Sequence, residues 1–224
     1  MKLVVPFIKS RGGECGQTCM AMMIKYFIPD FQPDFDEINQ IIHHEKGFYT
    51  FPPQDAILLH HFGIRAKAFS SENYPTTDEE PGVFGRWFGT ELNAQMKYVN
   101  PDSYNWMCRE IRKLNLLEIR KTSIDDMLTM VGSGYLVHFV LDWNRLKHRT
   151  GVYQGHGVLI TGFEDNKVFI HDPDEGPYIE YPKETLAFAY SHPTVTEDLV
   201  VAYGKSASMI LSPDSVNIIT LIRR

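Results

Sequence analysis

Three short stretches of this chain carry residue types that can do chemistry together. Glu14-Cys15-Gly16-Gln17-Thr18-Cys19-Met20-Ala21-Met22-Met23-Ile24 plants a cysteine at the mouth of an apolar segment. Gly155-His156-Gly157-Val158-Leu159-Ile160-Thr161-Gly162 offers an imidazole at the start of a core strand, and His171-Asp172-Pro173 follows one hairpin later. A thiol, an imidazole and a carboxylate are what a cysteine nucleophile needs: an attacking sulfur, a base to deprotonate it and a group to orient the base. The thiolate is the reactive form, so such a cysteine wants a lowered pKa. The first turn of a helix supplies this through unpaired N–H groups and the positive end of the dipole. The same N–H groups can stabilise an oxyanion in acyl transfer, and Gly16 lets substrate and backbone approach closely.

Each element has a plainer reading by itself. A lone cysteine at a helix start is usually a small packing residue, a lone strand histidine is usually structural, and Asp-Pro is a common turn signal. The conjunction carries the weight. Cys19, one turn deeper on the same helix, reads as buried packing, as does Cys108 beside Trp106 and Met107.

The elements that must position these groups can be read from hydrophobic spacing. Cys15–Phe27 reads as a helix apolar on nearly every side, hence buried, and Pro29 stops it. Further helices are expected over Asp36–His44, Pro53–Phe62, Tyr104–Lys113 and Ser123–Met130. Strands are expected over Ile64–Phe69, Tyr135–Leu141, Gly157–Gly162, Lys167–His171 and Tyr178–Tyr181, with weaker ones at Met209–Leu211 and Val216–Ile222. Asp165-Asn166 is the turn between the strands that carry His156 and Asp172. Helices first and an antiparallel sheet second is an α+β layout. The region from 70 to about 117, rich in Pro, Gly, Thr and acidic residues at its start, reads as an insertion or lid within a single domain spanning 1–224.

Composition narrows the partners. The 224 residues are 43% hydrophobic and 22% charged, which suits a soluble globular chain with an ample core. A net charge of -6, with no Lys/Arg cluster, argues against a nucleic-acid partner. No run of about 18 apolar residues is present for membrane insertion. Met1–Pro6 fails as an export signal, so the cytoplasm is the default location, though a chain can leave a cell by routes that leave no such mark. Three scattered cysteines suit a reducing compartment.

The motifs Glu-Cys-Gly-x-x-Cys-Met-Ala-Met, Gly-His-x-Val-Leu-Ile-x-Gly and Val-x-Ile-x-Asp-Pro resemble those of the double-glycine leader peptidases. These are bacteriocin-processing cysteine peptidases of the papain-like superfamily. The resemblance implies a papain-like fold, a peptide or protein substrate, no cofactor, and the roles of nucleophile, base and orienting carboxylate for Cys15, His156 and Asp172. It covers some 50 residues at the two ends of the catalytic fold and leaves Ser70–Leu117 uncovered. The chain departs from the pattern at one place. The family has a glutamine six residues before the nucleophile, lining the oxyanion hole, where this sequence has Lys9. Lys9, Gly16 and Gln17 are therefore the candidate oxyanion or binding residues. Three functions follow from this reading. The first is a free-standing cysteine peptidase, the second a papain-like amidase, deamidase or transamidase, and the third, motivated by Lys9, a non-catalytic peptide-binding module.

Other features carry less. His43-His44 and His60-His61 cannot chelate one ion well, because neighbouring helix residues point about 100° apart. Phe84, Trp87 and Phe88 suit a small satellite core better than a substrate groove. Gly132-Ser133-Gly134 lacks the Lys-Ser/Thr of a phosphate loop, and Ser133 is not in a nucleophile elbow. No metal is expected.

Overall fold

The computed structural model describes residues 1–192 and 197–205. Helix α1 runs over Cys15–Phe27, followed by α2 (Phe35–Ile41), α3 (Pro52–His61) and strand β1 (Ile64–Ser70). The next stretch holds two short helices, α4 (Val83–Phe88) and α5 (Leu92–Gln95), with single 3-10 turns at Gly89–Glu91 and Met96–Tyr98. After α6 (Pro101–Lys113), β2 (Leu117–Ile119) and α7 (Ile124–Gly132) come β3 (Leu136–Asp142) and α8 (Trp143–Leu146). The chain continues through β4 (Gly155–Glu164), β5 (Lys167–Asp172), β6 (Gly176–Pro182), α9 (Lys183–Tyr190) and β7 (Leu199–Lys205).

The helix boundaries follow local chemistry. Asp34 caps α2 by accepting from the Asp36 and Glu37 N–H groups. Asn100 caps α6, whose first residue is Pro101, and Ser123 forms a capping box with Asp126 at α7. Helix α1 differs: Glu14 makes no side-chain cap, so the amides of its first turn are left unbonded by a cap.

The seven strands form one sheet in the order β2-β1-β7-β3-β4-β5-β6, antiparallel except for the β1–β2 pair. Both faces are covered. Leu136, Leu159, Val200 and Ala202 pack against α1, α3 and α6 on one side. Val137, Phe139, Val158, Ile160 and Ile170 pack against α7 and α9 on the other. Burial of both faces explains why β3 and β4 read as unbroken apolar runs rather than alternating ones. Every residue from Gly16 to Ile24 of α1 is buried, which makes the helix a rigid mount. Truncating Met20, which has no exposed surface, would cost about 2–5 kcal/mol.

The expected α+β architecture holds, with α1 coinciding with its expected bounds. The layout is more interleaved than helices followed by sheet, because β1 and β2 come from the first half and α7 and α9 cover the far face. The central strand β7 and helix α9 had no counterpart in the sequence reading. The weaker strands expected at Met209–Leu211 and Val216–Ile222 lie outside the described residues. Among the described residues, no helix is long and apolar enough to cross a membrane.

Candidate active site

The β4–β5 hairpin, turning at Asp165 in left-handed conformation (φ 50°), returns the chain so that the end of β5 lies beside the start of β4. His156 Nε2 and Asp172 Oδ1 are 3.0 Å apart. Asp172 Oδ1 also accepts from the backbone N–H groups of Asp174 (2.9 Å) and Glu175 (3.1 Å). With Nε2 on Asp172, Nδ1 is the ring nitrogen left over; it lies 3.9 Å from Asp174 Oδ2, and His156 and Cys15 are near enough for each to favour charge on the other. Trp143 covers the ring, with centroids 4.3 Å apart.

Strand and helix are stitched together at one peptide. The Gly157 N–H donates to the Cys15 sulfur (3.3 Å), and the Cys19 thiol donates to the Gly157 carbonyl (3.5 Å). Glycine at 157 is a steric requirement: a Cβ there would lie 2.6 Å from His138 Nε2 and 3.4 Å from the Gly16 nitrogen. Burial and the charge on Cys15 hold the Cys19 thiol well above its ordinary pKa, so it stays a donor. Cys108 is pushed up to about 11, chiefly by burial.

Electrostatics favour a charged pair. Burial pushes the Cys15 thiol up, but the bond and charge of His156 and the Gly157 N–H outweigh it, and the net shift is downward. Burial works against charge on His156, and the bonds and charges of Asp172 and Cys15 outweigh that too, raising it to about 10. Asp172 is raised by burial and lowered more strongly by His156 and the two backbone N–H groups, for a net shift downward.

A second imidazole–carboxylate pair lies behind the first turn of α1. His138 Nδ1 is 3.5 Å from Asp55 Oδ2, and both residues are buried. Asp55 Oδ1 and both His138 nitrogens have no hydrogen-bond partner within the protein. Burial pushes Asp55 well up and His138 down to about 3, which favours the neutral form of each.

The cleft that opens over Cys15 measures about 720 Å³ and also touches Gly16, Gln17, His156 and Asp174. The sequence-derived residues Cys15, His156 and Asp172 are thus brought together. Gly16 lines the cleft beside the sulfur. Gln17 does too, but its amide donates to Asn39 Oδ1 at 3.1 Å. Lys9 lies outside the lining; its ammonium donates to the Asp174 carbonyl (2.6 Å) and ties down the β5–β6 turn. Phe84, Trp87 and Phe88 belong to the large helical core rather than to a small satellite one, and Trp87 and Phe88 also line the cleft. Among the described residues no cluster of three or more His, Cys, Asp or Glu side chains could hold a metal. His43 instead stacks on Trp106, with ring centroids 4.1 Å apart.

Sequence reasoning did not identify Trp143, Asp174, Tyr153 or the Asp55–His138 pair. The polar His138 inside an apolar strand was a visible signal, whereas the others lie on loops and helices that only the fold brings to the cleft.

The sequence matches the Peptidase_C39 like family over residues 2–194. Among solved structures, it resembles a protein of Bacillus anthracis described as a C39-like peptidase, with a TM-score of 0.52 and 14% identity over 92% of this chain and 99% of that one. The peptidase domain of Streptococcus ComA, a bi-functional ABC transporter of a quorum-sensing pathway, matches at 11% identity and a TM-score of 0.46, covering 91% and 98% of the two chains. A double-glycine-motif protease of an AMS/PCAT transporter, solved with its leader peptide, matches at 14% and 0.46, covering 90% and 93%. No curated protein matches the sequence. On the family match across most of its length, this chain belongs to the Peptidase_C39 like family.

Proposed function

We propose that the chain is a cysteine peptidase with Cys15 as nucleophile, His156 as proton carrier and Asp172 as the group that orients His156. One observation carries the reading. His156 Nε2 lies 3.0 Å from Asp172 Oδ1, and the N–H of the next residue, Gly157, donates to the Cys15 sulfur at 3.3 Å, which sets the imidazole beside the thiol. Directions of shift on all three groups favour a thiolate–imidazolium pair before substrate arrives.

In the proposed reaction the Cys15 thiolate attacks the carbonyl carbon of a peptide bond. The uncapped N–H groups of Cys15 and Gly16 stabilise the oxyanion, in the place the resemblance gives to a glutamine. The C–N bond then breaks as His156 gives its proton to the departing amine, leaving a thioester. Neutral His156 takes a proton from water, the water oxygen attacks the thioester, and Cys15 leaves as thiolate, regenerating the pair. Lys9 acts indirectly, by holding the Asp174 turn beside His156.

The test is the pH profile of iodoacetamide labelling, with the modified cysteine mapped by mass spectrometry. The expected result is selective labelling of Cys15 well below pH 8 that is lost in His156→Ala, while Cys19 and Cys108 stay unmodified. Equal, slow labelling of all three cysteines would remove the activated pair and favour a peptide-binding module.

A further inference from the structure

The turn from β5 into β6 carries three carboxylates, and the fold gives each a different surrounding. Asp172 is matched by His156 at 3.0 Å and by two backbone N–H groups. Glu175 is matched by the Lys147 ammonium at 2.6 Å. Asp174 has no such match. Among the described residues its one ion-pair partner is His156, whose Nδ1 lies 3.9 Å from Oδ2, too far for a hydrogen bond. The Asp174 side chain is 42% exposed and lines the cleft.

The turn uses the backbone of Asp174 and not its carboxylate. The N–H donates to Asp172 Oδ1 (2.9 Å), and the carbonyl accepts from Lys9 Nζ (2.6 Å). Any residue but proline could make both bonds. Toward the nucleophile the carboxylate is unhelpful, because its negative charge opposes the thiolate and pushes the Cys15 pKa up. What it favours is a positive charge arriving in the cleft.

The geometry at His156 says which part of a peptide would bring that charge. Nε2 is held by Asp172, so Nδ1 is the atom that passes a proton to the departing amine. That transfer needs the two nitrogens about 3 Å apart, which brings the departing nitrogen within about 7 Å of Asp174 Oδ2. A lysine or arginine on the residue that owns this nitrogen has a side chain long and flexible enough to close such a gap. Lys46 and Lys97, the lysines of the cleft lining, lie on the segments leading into α3 and α6, and among the described residues neither pairs with Asp174.

We infer that Asp174 selects the residue on the leaving side of the scissile bond, favouring lysine or arginine there over an acidic residue. The inference rests on the peptidase reading of Cys15 and adds a specificity to it. A cationic side chain just past the cut meets the carboxylate, whereas a glutamate or aspartate in the same place is repelled by it.

The experiment uses the whole protein and synthetic peptides of random sequence, the residue after each cut bond being read by mass spectrometry. In the wild-type protein Lys and Arg should exceed Asp and Glu at that position by about tenfold at low salt, the scale of attraction in one case and repulsion in the other at a part-exposed charge. The excess should shrink in about 1 M salt, where such a charge is screened. Asp174→Asn should cut before both classes equally, and Asp174→Lys should reverse the preference. Both variants keep the backbone bonds of the turn, and a reversed preference is a readout that a loss of folding does not produce. Equal cutting before basic and acidic residues by the wild-type protein, or a basic preference that survives in Asp174→Lys, would overturn the inference and leave the peptidase reading standing. No turnover of any peptide would overturn that reading, and the inference with it.

Discussion

His156 and His138 lie on neighbouring strands, each beside a buried aspartate, and the protein drives them in opposite directions. His156 is 3.0 Å from Asp172, whose carboxylate also holds two backbone N–H groups, and it is raised to about 10. His138 is 3.5 Å from Asp55 without a hydrogen bond, has no exposed surface, and is lowered to about 3. Both pairs are desolvated. The difference is the hydrogen bond from Asp172 to the charged form and the neighbouring Cys15, both of which favour charge on His156. The buried imidazole that is hydrogen-bonded to its carboxylate is raised, and the one that is not is lowered.

Mutations can break this contrast. Replacing His156 by Ala should lower turnover by about a thousandfold or more, since the proton carrier is gone. Replacing His138 and Asp55 together by Leu should leave turnover within about tenfold and thermal stability unchanged or raised, because neutral, unbonded buried polar groups add little to folding. Steady-state rates and melting curves on both variants decide this. A His138/Asp55 variant as inactive as His156→Ala would show that the second pair takes part in the chemistry.

The next effect is on pH. The wild-type rate should rise as the Cys15 thiolate forms, below the ordinary thiol range, and fall as His156 deprotonates near pH 10. In Asp172→Asn the bond and charge that raise His156 are weakened, so the alkaline limb should move to lower pH. The stability linked to these groups has the matching signs. The contribution of the raised His156 is fully present below its unfolded value of 6.5 and is lost as pH rises through about 10. That of the lowered Asp172 is present above its unfolded value of 3.8 and is lost as pH falls through its folded value. An alkaline limb unmoved by Asp172→Asn would assign that limb to another group.

Gly157→Ala probes the seam between the two pairs. The added methyl must displace His138 Nε2 from 2.6 Å, and the expected cost is about 1–3 kcal/mol of stability, read from denaturant midpoints. The smallest effect is expected at Lys9. Because its ammonium serves the Asp174 carbonyl and not the cleft, Lys9→Ala should cost less than about tenfold in kcat. A loss of a hundredfold or more, the scale of a missing oxyanion donor, would place Lys9 in the oxyanion site after all.

The elements that could be read in the sequence are those with a strong local cause. The buried helix α1 showed as an apolar run between Gly13 and Pro29, and β4 and β5 as apolar strands around Asp165-Asn166. The early helices showed by spacing, with ends displaced by a residue or a few; α2, for example, stops at Ile41 rather than His44. The short elements between Val83 and Tyr98 did not show, because four-to-six-residue helices have too few turns to display a period. Strand β7 went unread although it opens on the apolar run Leu199-Val200-Val201-Ala202, for it owes its position to two partners distant in sequence, β1 and β3.

By itself, the sequence determined the identities of the thiol, the imidazole and the carboxylate, and the local structures that present them. A helix start, a strand start and a hairpin return are short-range consequences of residue type. Tertiary structure decided which groups share an environment. It tied Lys9 to the Asp174 turn rather than aiming it into the cleft, buried Asp55 and His138 together behind α1, and brought Glu91 and Gln95 across to Tyr153. These are contacts between residues tens of positions apart or more, fixed by packing and burial, and burial is what sets whether a side chain is charged, bonded or within reach.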